Sequence, residues 1–481
     1  MLVIALVTPE PSVFQYRVFQ TVLSLAVAGV AAMIPGFLQV NISGWIRAGG
    51  ALGVFAVVYF YSPADLVVKP PAELKEHVFT DQKPTVVGIY PSDLFGPNQK
   101  NGLLAGINHF CDGNDIEIMH VDSQSYQQLK SGLSRELENQ LGSVLKDENV
   151  FAISGPSITE ITPVVLNTNK STRGAPIFVT SAAPKAFLDW QTHKRDLPLY
   201  RISTGIDRRG REISSFIESL ITNDIPIYFL VENGSDNQKS FGELFLAEIS
   251  NYTNDFWRHV AEGRIDVRHY DRGRFSESSY ERDIFDGKGV VFFLGVGTDY
   301  RSIVNNYYKL VGESDSNLQR PFLISWMHAH SINSDLNESD YLTNHIVEIT
   351  DFDLSAYMIR PNAHYVFQTN FGEISPANRD EAFSFDAAMH ICKAYKEFTN
   401  SIDIPAGKYV QFDQHALSEF SKIIDSTETE GVTGVIAFNA NGDNPKGKIV
   451  FSMFRDLKWT VIDPNALMQT LKSEYVATLS G

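Results

Sequence analysis

The segment VFAISGPSITEITPVVLNTNKSTRGAPIFVTSAA (150–183) decides the fold. It opens with a short apolar run, VFAISG (150–155), continues into a helical stretch through Val164, and returns to a second apolar run, PIFVTS (176–181). Two strands that are apolar on both faces, bracketing a helix, predict a parallel sheet covered on either side. The same alternation runs outward in both directions. Upstream lie TVVGIY (85–90), a helix through GLLAGINHF, IEIMHVD (116–122) and a polar helix from Tyr126 to Lys146. Downstream lie PIYFLV (226–231), GVVFFLGV (289–296) and RPFLISW (320–326), with helices such as GELFLAEISNY between. Roughly 400 residues of this pattern exceed one doubly wound sheet, so two doubly wound parallel-sheet lobes of α/β class are expected.

In open parallel sheets ligands sit beyond the carboxyl ends of the strands, which makes the strand-to-helix loops informative. In GPSITEIT (155–162), Gly155 suits a tight turn, and Ser157 and Thr159 stand at a helix start. Free N–H groups and the helix dipole favour an anion there. The plainer alternative is that Ser157 or Thr159 only caps the helix, since both residue types are preferred caps.

Five ordered segments resemble the type 1 periplasmic binding proteins, in the branch of branched-chain amino-acid binding proteins of ABC importers and receptor-type ligand-binding domains. They are NQKNGLLAGINHF, the 150–183 unit, LYRISTGIDRRGREISSFI, FSFDAAMHICKAYKEF and GVTGVIAFNANGDNPKGKI (431–449), with Gly442 and Asp443 at the last turn. The resemblance covers about residues 84–460. It implies lobes joined by three crossovers that close on a small ligand. The first lobe would comprise 84–203 with about 350–430, and the second 204–349 with about 431–475. Carried over, the carboxylate loop falls on Ser157 and Thr159, the backbone after the fourth strand on Ala182 and Ala183, and the acidic position on Asp299. Two positions depart from the family pattern. Its hydroxyl residue after the Ala-Ala pair is Pro184 here, and its Tyr-Gly pair is Phe241-Gly242. Either the ligand differs or the cleft is retired. A polar cleft lined by Ser157, Thr159, Ala182 and Asp299 would mark a receptor, and one filled by Pro184, Phe241 and Trp326 a scaffold.

The N-terminal region reads differently. The run VFQTVLSLAVAGVAAMIPGFL and the shorter AGGALGVFAVVYFY (48–61) predict a transmembrane helical hairpin over 1–68, with spans at about 18–40 and 46–62, followed by a linker at 69–83. A hairpin puts the large domain on the same side as Met1. Arg17, Lys69 and Lys75 flank that side against Arg47 on the other, so the charge bias leans cytoplasmic where the family implies periplasmic.

The chain of 481 residues carries a formal charge of −17. Residues 1–83 are balanced, with five basic and five acidic groups, so the whole excess falls on the remainder. An acidic domain repels phosphate backbones, which excludes nucleic acid as a partner. Cys111 and Cys392 allow one bridge at most. Their apolar-face spacing on helices predicts buried free thiols. His328 and His330 in WMHAH lack further ligands at metal spacing, and GVGTD (295–299) lacks the context of a nucleotide fingerprint. With no nucleophile elbow and no P-loop lysine, neither an enzyme nor a cofactor is expected. The reading is a membrane-anchored binding protein for a small polar ligand, an amino acid or small carboxylate, that docks on an ABC permease or a membrane signalling partner. The alternative is a sensor or scaffold using the same fold for protein contacts.

Overall fold

The computed structural model describes residues 39–42, 46–49 and 77–479, apart from 93–95, 112–114, 124–133, 158–160, 181–197, 235–239, 272–288, 296–298, 306–320, 327–344, 352–360, 376–377 and 456–457. The chain divides into two compact units, Met1–Glu76 and His77–Gly481.

In the first unit, β1 (Gln39–Ile42) pairs antiparallel with β2 (Ile46–Gly49), Asn41 opposite Arg47. This corrects the expected transmembrane hairpin where it overlaps these residues: 39–40 and 46–49 are strand, not helix ends. The β-branched Val40, Ile42 and Ile46 around a three-residue link containing Gly44 favour a β-hairpin. The rest of both proposed spans lies outside the described residues. Among the described residues no helix is long and apolar enough to cross a membrane.

The second unit holds two parallel sheets. In the first lobe, β3 (Phe79–Thr80) is followed by β4 (Thr85–Tyr90), α1 (Gly96–Phe110), β5 (Glu117–Asp122), α2 (Ser134–Val144), β6 (Val150–Ser154), α3 (Thr162–Thr172), β7 (Ile177–Val179) and β8 (Leu199–Arg201). The order β5-β4-β6-β7-β8 is parallel throughout. In the second lobe come α4 (Ile206–Thr222), β9 (Ile227–Glu232), α5 (Phe241–Tyr252), α6 (Phe256–Ala261), β10 (Ile265–Tyr270), β11 (Val290–Leu294), β12 (Phe322–Trp326) and β13 (Ile346–Thr350). The chain then returns to the first lobe through α7 (Pro361–Phe371), α8 (Arg379–Asn400), β14 (Tyr409–Val410), α9 (Gln414–Ser426), β15 (Thr429–Glu430) and β16 (Val435–Ile436). It ends on the second lobe with β17 (Val450–Arg455), β18 (Lys458–Ile462) and α10 (Pro464–Leu479). There the order is β10-β9-β11-β12-β13-β17-β18, the last two antiparallel. The strands expected at 85–90, 116–122, 150–155, 176–181, 226–231, 289–296 and 320–326 are all present within a few residues.

Each lobe has its own core. Val432, Ile436 and Phe438 pack in the first, which places the final crossover later than the expected boundary near 430. β3 pairs with β14, so Phe79 and Thr80 belong to the first lobe rather than to the linker at 69–83. Helices α1 and α8 lie unusually close. A Cβ on Gly102 would stand 2.2 Å from the Glu381 carbonyl oxygen, and one on Gly106 2.5 Å from the Ala388 Cβ. Further along the same seam Cys111 and Cys392 form a disulfide, with Cα atoms 4.9 Å apart. The expected free thiols are thereby corrected: apolar-face spacing reports burial, and the glycine seam brings the two cysteines within bonding reach. Asp386, buried in α8, accepts from the backbone N–H of Val432 (2.7 Å) and Thr433 (2.8 Å), which fixes the turn after β15.

Candidate functional site

Both sheets share one topology. Their first five strands run in the order 2-1-3-4-5, which reverses direction between the first and third strands, and ligands gather beyond the carboxyl ends at that reversal. In the first lobe it lies between β4 and β6, in the second between β9 and β11.

At the first reversal Gly155 adopts a φ of +104°, and a Cβ there would stand 2.3 Å from the Ile89 carbonyl oxygen. Only glycine suits that position. Ser157, two residues on, is buried, and its Oγ has no hydrogen-bond partner within the protein. Thr180 Oγ1 after β7 and Ser123 Oγ after β5 are in the same condition. Tyr90, the last residue of β4, bonds Ser154 through its hydroxyl at 2.5 Å, and burial pushes its pKa up to about 12. Thr159, Ala182, Ala183 and Pro184 lie outside the described residues, as do His328 and His330.

At the second reversal, Ser240 and Glu243 form a capping box that starts α5. Phe241 is half-buried against Phe245, ring centroids 5.7 Å apart. Gly242 is pressed on β11, where a Cβ would fall 2.1 Å from the Leu294 carbonyl oxygen. This close approach accounts for Gly242. Asp299 is buried at the start of the helical residues 299–305. Ser157 and Asp299 therefore occupy equivalent places in the two lobes. Trp326 belongs to the second core, edge-on to Phe245 at 5.2 Å.

Sequence reading missed the charged groups where the lobes join. Arg209 of α4 and Asp351, just after β13, are both fully buried and 2.9 Å apart. Asp351 also accepts from the Thr204 backbone N–H at 2.7 Å. Burial pushes the Arg209 guanidinium down to about 10, partly offset by Asp351, so it remains charged at neutral pH. The charges of Arg379 and Arg201 act on it in the same direction as burial. Arg201 pairs with Asp443 of the third crossover, and its backbone N–H donates to the Gly442 carbonyl at 2.8 Å. Arg379 at the start of α8 donates to Asp380 at 3.2 Å. Nε and Nη1 of Arg209, and Nε and Nη2 of Arg379, are buried donors with no protein partner. The one sequence signal was Arg209 itself, a charged residue on the stripe otherwise formed by Ile206, Gly210, Ile213 and Ile217. Spare guanidinium donors have the chemistry to hold an anion. A separate pocket of about 310 Å³ lies between α7 and β18, lined by residues including His364, Phe367, Lys458 and Trp459, away from both reversals.

Over 79% of the chain the architecture is matched by solved structures. The branched-chain amino-acid transporter substrate-binding protein LivJ of Streptococcus pneumoniae, in complex with isoleucine, aligns with a TM-score of 0.56 at 13% identity, covering 79% of this chain and 99% of that one. The fold is that of the type 1 periplasmic binding proteins. A leucine-binding protein, LivK, from Thermotoga maritima aligns at 0.58 with 14% identity over 79% of this chain and 98% of its own. A solute-binding protein of R. palustris in complex with benzoate gives 0.54 at 12%, over 79% and 96%. No family model and no curated protein sequence matches the chain.

Proposed function

We propose that the two-lobed unit is a non-enzymatic receptor that closes on a small carboxylate or amino-acid-like ligand and presents it to an ABC permease. Ser157 carries this reading. Its hydroxyl is buried at the strand reversal of the first lobe without a protein partner, and such a group costs about 1–3 kcal/mol unless ligand or solvent satisfies it. Thr159 and the backbone of Ala182 and Ala183 would complete the carboxylate loop. Arg209 and Arg379, each with buried donors that have no protein partner, would add positive charge to the closed site. Asp299 would hold an ammonium group, and Phe241 the apolar part. Isoleucine and benzoate, bound by two proteins of the same fold, have little in common beyond a carboxylate, which supports that group as the common element of recognition. The Cys111–Cys392 bridge favours an oxidising compartment, hence the exported side of a membrane over the cytoplasm.

Thermal-shift screening of the full chain against amino acids and small carboxylates tests the reading. A ligand at one hundred times its Kd stabilises by about 2.7 kcal/mol and raises the Tm. A flat response to every compound would turn the assignment towards a ligand-independent scaffold.

A further inference from the structure

We infer that His77, His415 and Glu419 form a binding site for a transition-metal ion of the zinc class, at the point where the chain passes into the two-lobed unit. Their ligand atoms all lie within 4.8 Å of one another, and among the described residues this is the one group of three His, Cys, Asp or Glu side chains so arranged. His77 Nε2 is 3.2 Å from Glu419 Oε2, and His415 Nε2 is 3.8 Å from Glu419 Oε1. Tetrahedral coordination at about 2.0–2.2 Å sets neighbouring ligand atoms roughly 3.3–3.6 Å apart. The observed distances bracket that range, so small side-chain rotations suffice to close the site.

The backbone builds this arrangement. His415 and Glu419 are four residues apart on α9 and share one face of it. Asp413 caps that helix, accepting from the Ala416 N–H at 2.8 Å. His77 is brought to its first turn by the pairing of β3 with β14 and by the Gln411 N–H, which donates to the Val78 carbonyl at 2.8 Å. The His77 ring then stacks on His415, centroids 5.4 Å apart, and meets Phe398 edge-on at 5.6 Å.

Two imidazoles and one carboxylate suit zinc, and also nickel, copper or ferrous iron, better than calcium or magnesium, which favour oxygen-rich sets. Three protein ligands leave one position for water. His77 Nδ1 is buried without a partner, so the outer hydrogen bond that fixes a ligating ring in the tightest sites is missing. Micromolar affinity is therefore expected rather than nanomolar. The site lies on the first lobe, away from both strand reversals, so its role is to clip residue 77 to α9 and fix where the domain begins.

The test is equilibrium dialysis of the full chain, carrying no polyhistidine tag and stripped with chelator, against zinc alone. One zinc per chain is expected, with affinity at least about 100-fold weaker in His415→Ala, Glu419→Gln and His77→Ala, and unchanged in His259→Ala. His415 and Glu419 are partly exposed, so the metal-free variants should melt as the wild type does. Substitution by cobalt gives a second readout independent of variants: four- or five-coordinate d–d bands are expected. Zinc retained equally by all three variants, or a cobalt spectrum of only the six-coordinate aqua type, would overturn the site.

Discussion

Arg209 and Asp351 form an ion pair with no solvent exposure, 2.9 Å long, that ties the first crossover between the lobes to the second. Removing one partner leaves the other charge buried alone, which typically costs 3–5 kcal/mol, whereas replacing both can be nearly neutral. Arg209→Met and Asp351→Asn should each lower unfolding stability by about 3–5 kcal/mol in urea titrations. The double variant should recover part of that loss, though the Thr204 N–H keeps its need for an acceptor.

The disulfide gives a second prediction. Replacing both Cys111 and Cys392 by serine should cost about 2–5 kcal/mol. Reductant should lower the Tm of the wild type and leave the double variant unmoved. Equal melting of the two proteins with and without reductant would show that the bridge does not form.

Ser157→Ala separates folding from binding. Its hydroxyl is buried and makes no bond within the protein, so removing it should leave the ligand-free stability unchanged or raise it by up to about 1–3 kcal/mol. The ligand-induced rise in Tm should shrink or vanish. A variant that is strongly destabilised without ligand would assign Ser157 to the fold instead.

Half-buried Glu381 and buried His390 oppose each other in the acid range. Burial raises Glu381 from 4.5 to about 7, with Asp380 adding to it, so the folded state holds a proton there that the unfolded chain has released. Its contribution is lost as pH rises from 4.5 to 7. Burial lowers His390 from 6.5 to about 3, so its contribution is lost as pH falls below 6.5. Between pH 4.5 and 6.5 the two slopes cancel. Glu381→Gln should unmask the histidine, steepening the acid loss of stability by up to about 1.4 kcal/mol per pH unit. Denaturant titrations across that range would read it.

How much of this was legible depends on the range of the interaction. VVFFL and VFAIS announced buried strands because apolar residues on both faces are a local signal. Ser157 was singled out because it stands just beyond such a strand, and Asp299 only through the resemblance to the periplasmic binding proteins. The pairings at the crossovers between the lobes were not legible, since Arg209 meets Asp351 and Arg201 meets Asp443 only once the fold is formed. Cys111 and Cys392 stand 281 residues apart, and their bond follows from Gly102 and Gly106 drawing two helices together. The strands at 39–42 and 46–49 were hidden by the apolar runs on either side, whose length outweighed the turn chemistry of Ser43 and Gly44.

The pairing of β3 with β14 has a consequence for biogenesis. Phe79 finds its partner strand in Tyr409–Val410, and the first core also waits for α8, α9 and Phe438. During translation residues 206–350 emerge with most of their sheet complete, while the earlier lobe stays open until the chain is nearly finished. The second lobe in turn waits for β17, β18 and α10, so both halves close only on the last part of the chain, and both are what a chaperone would have to hold.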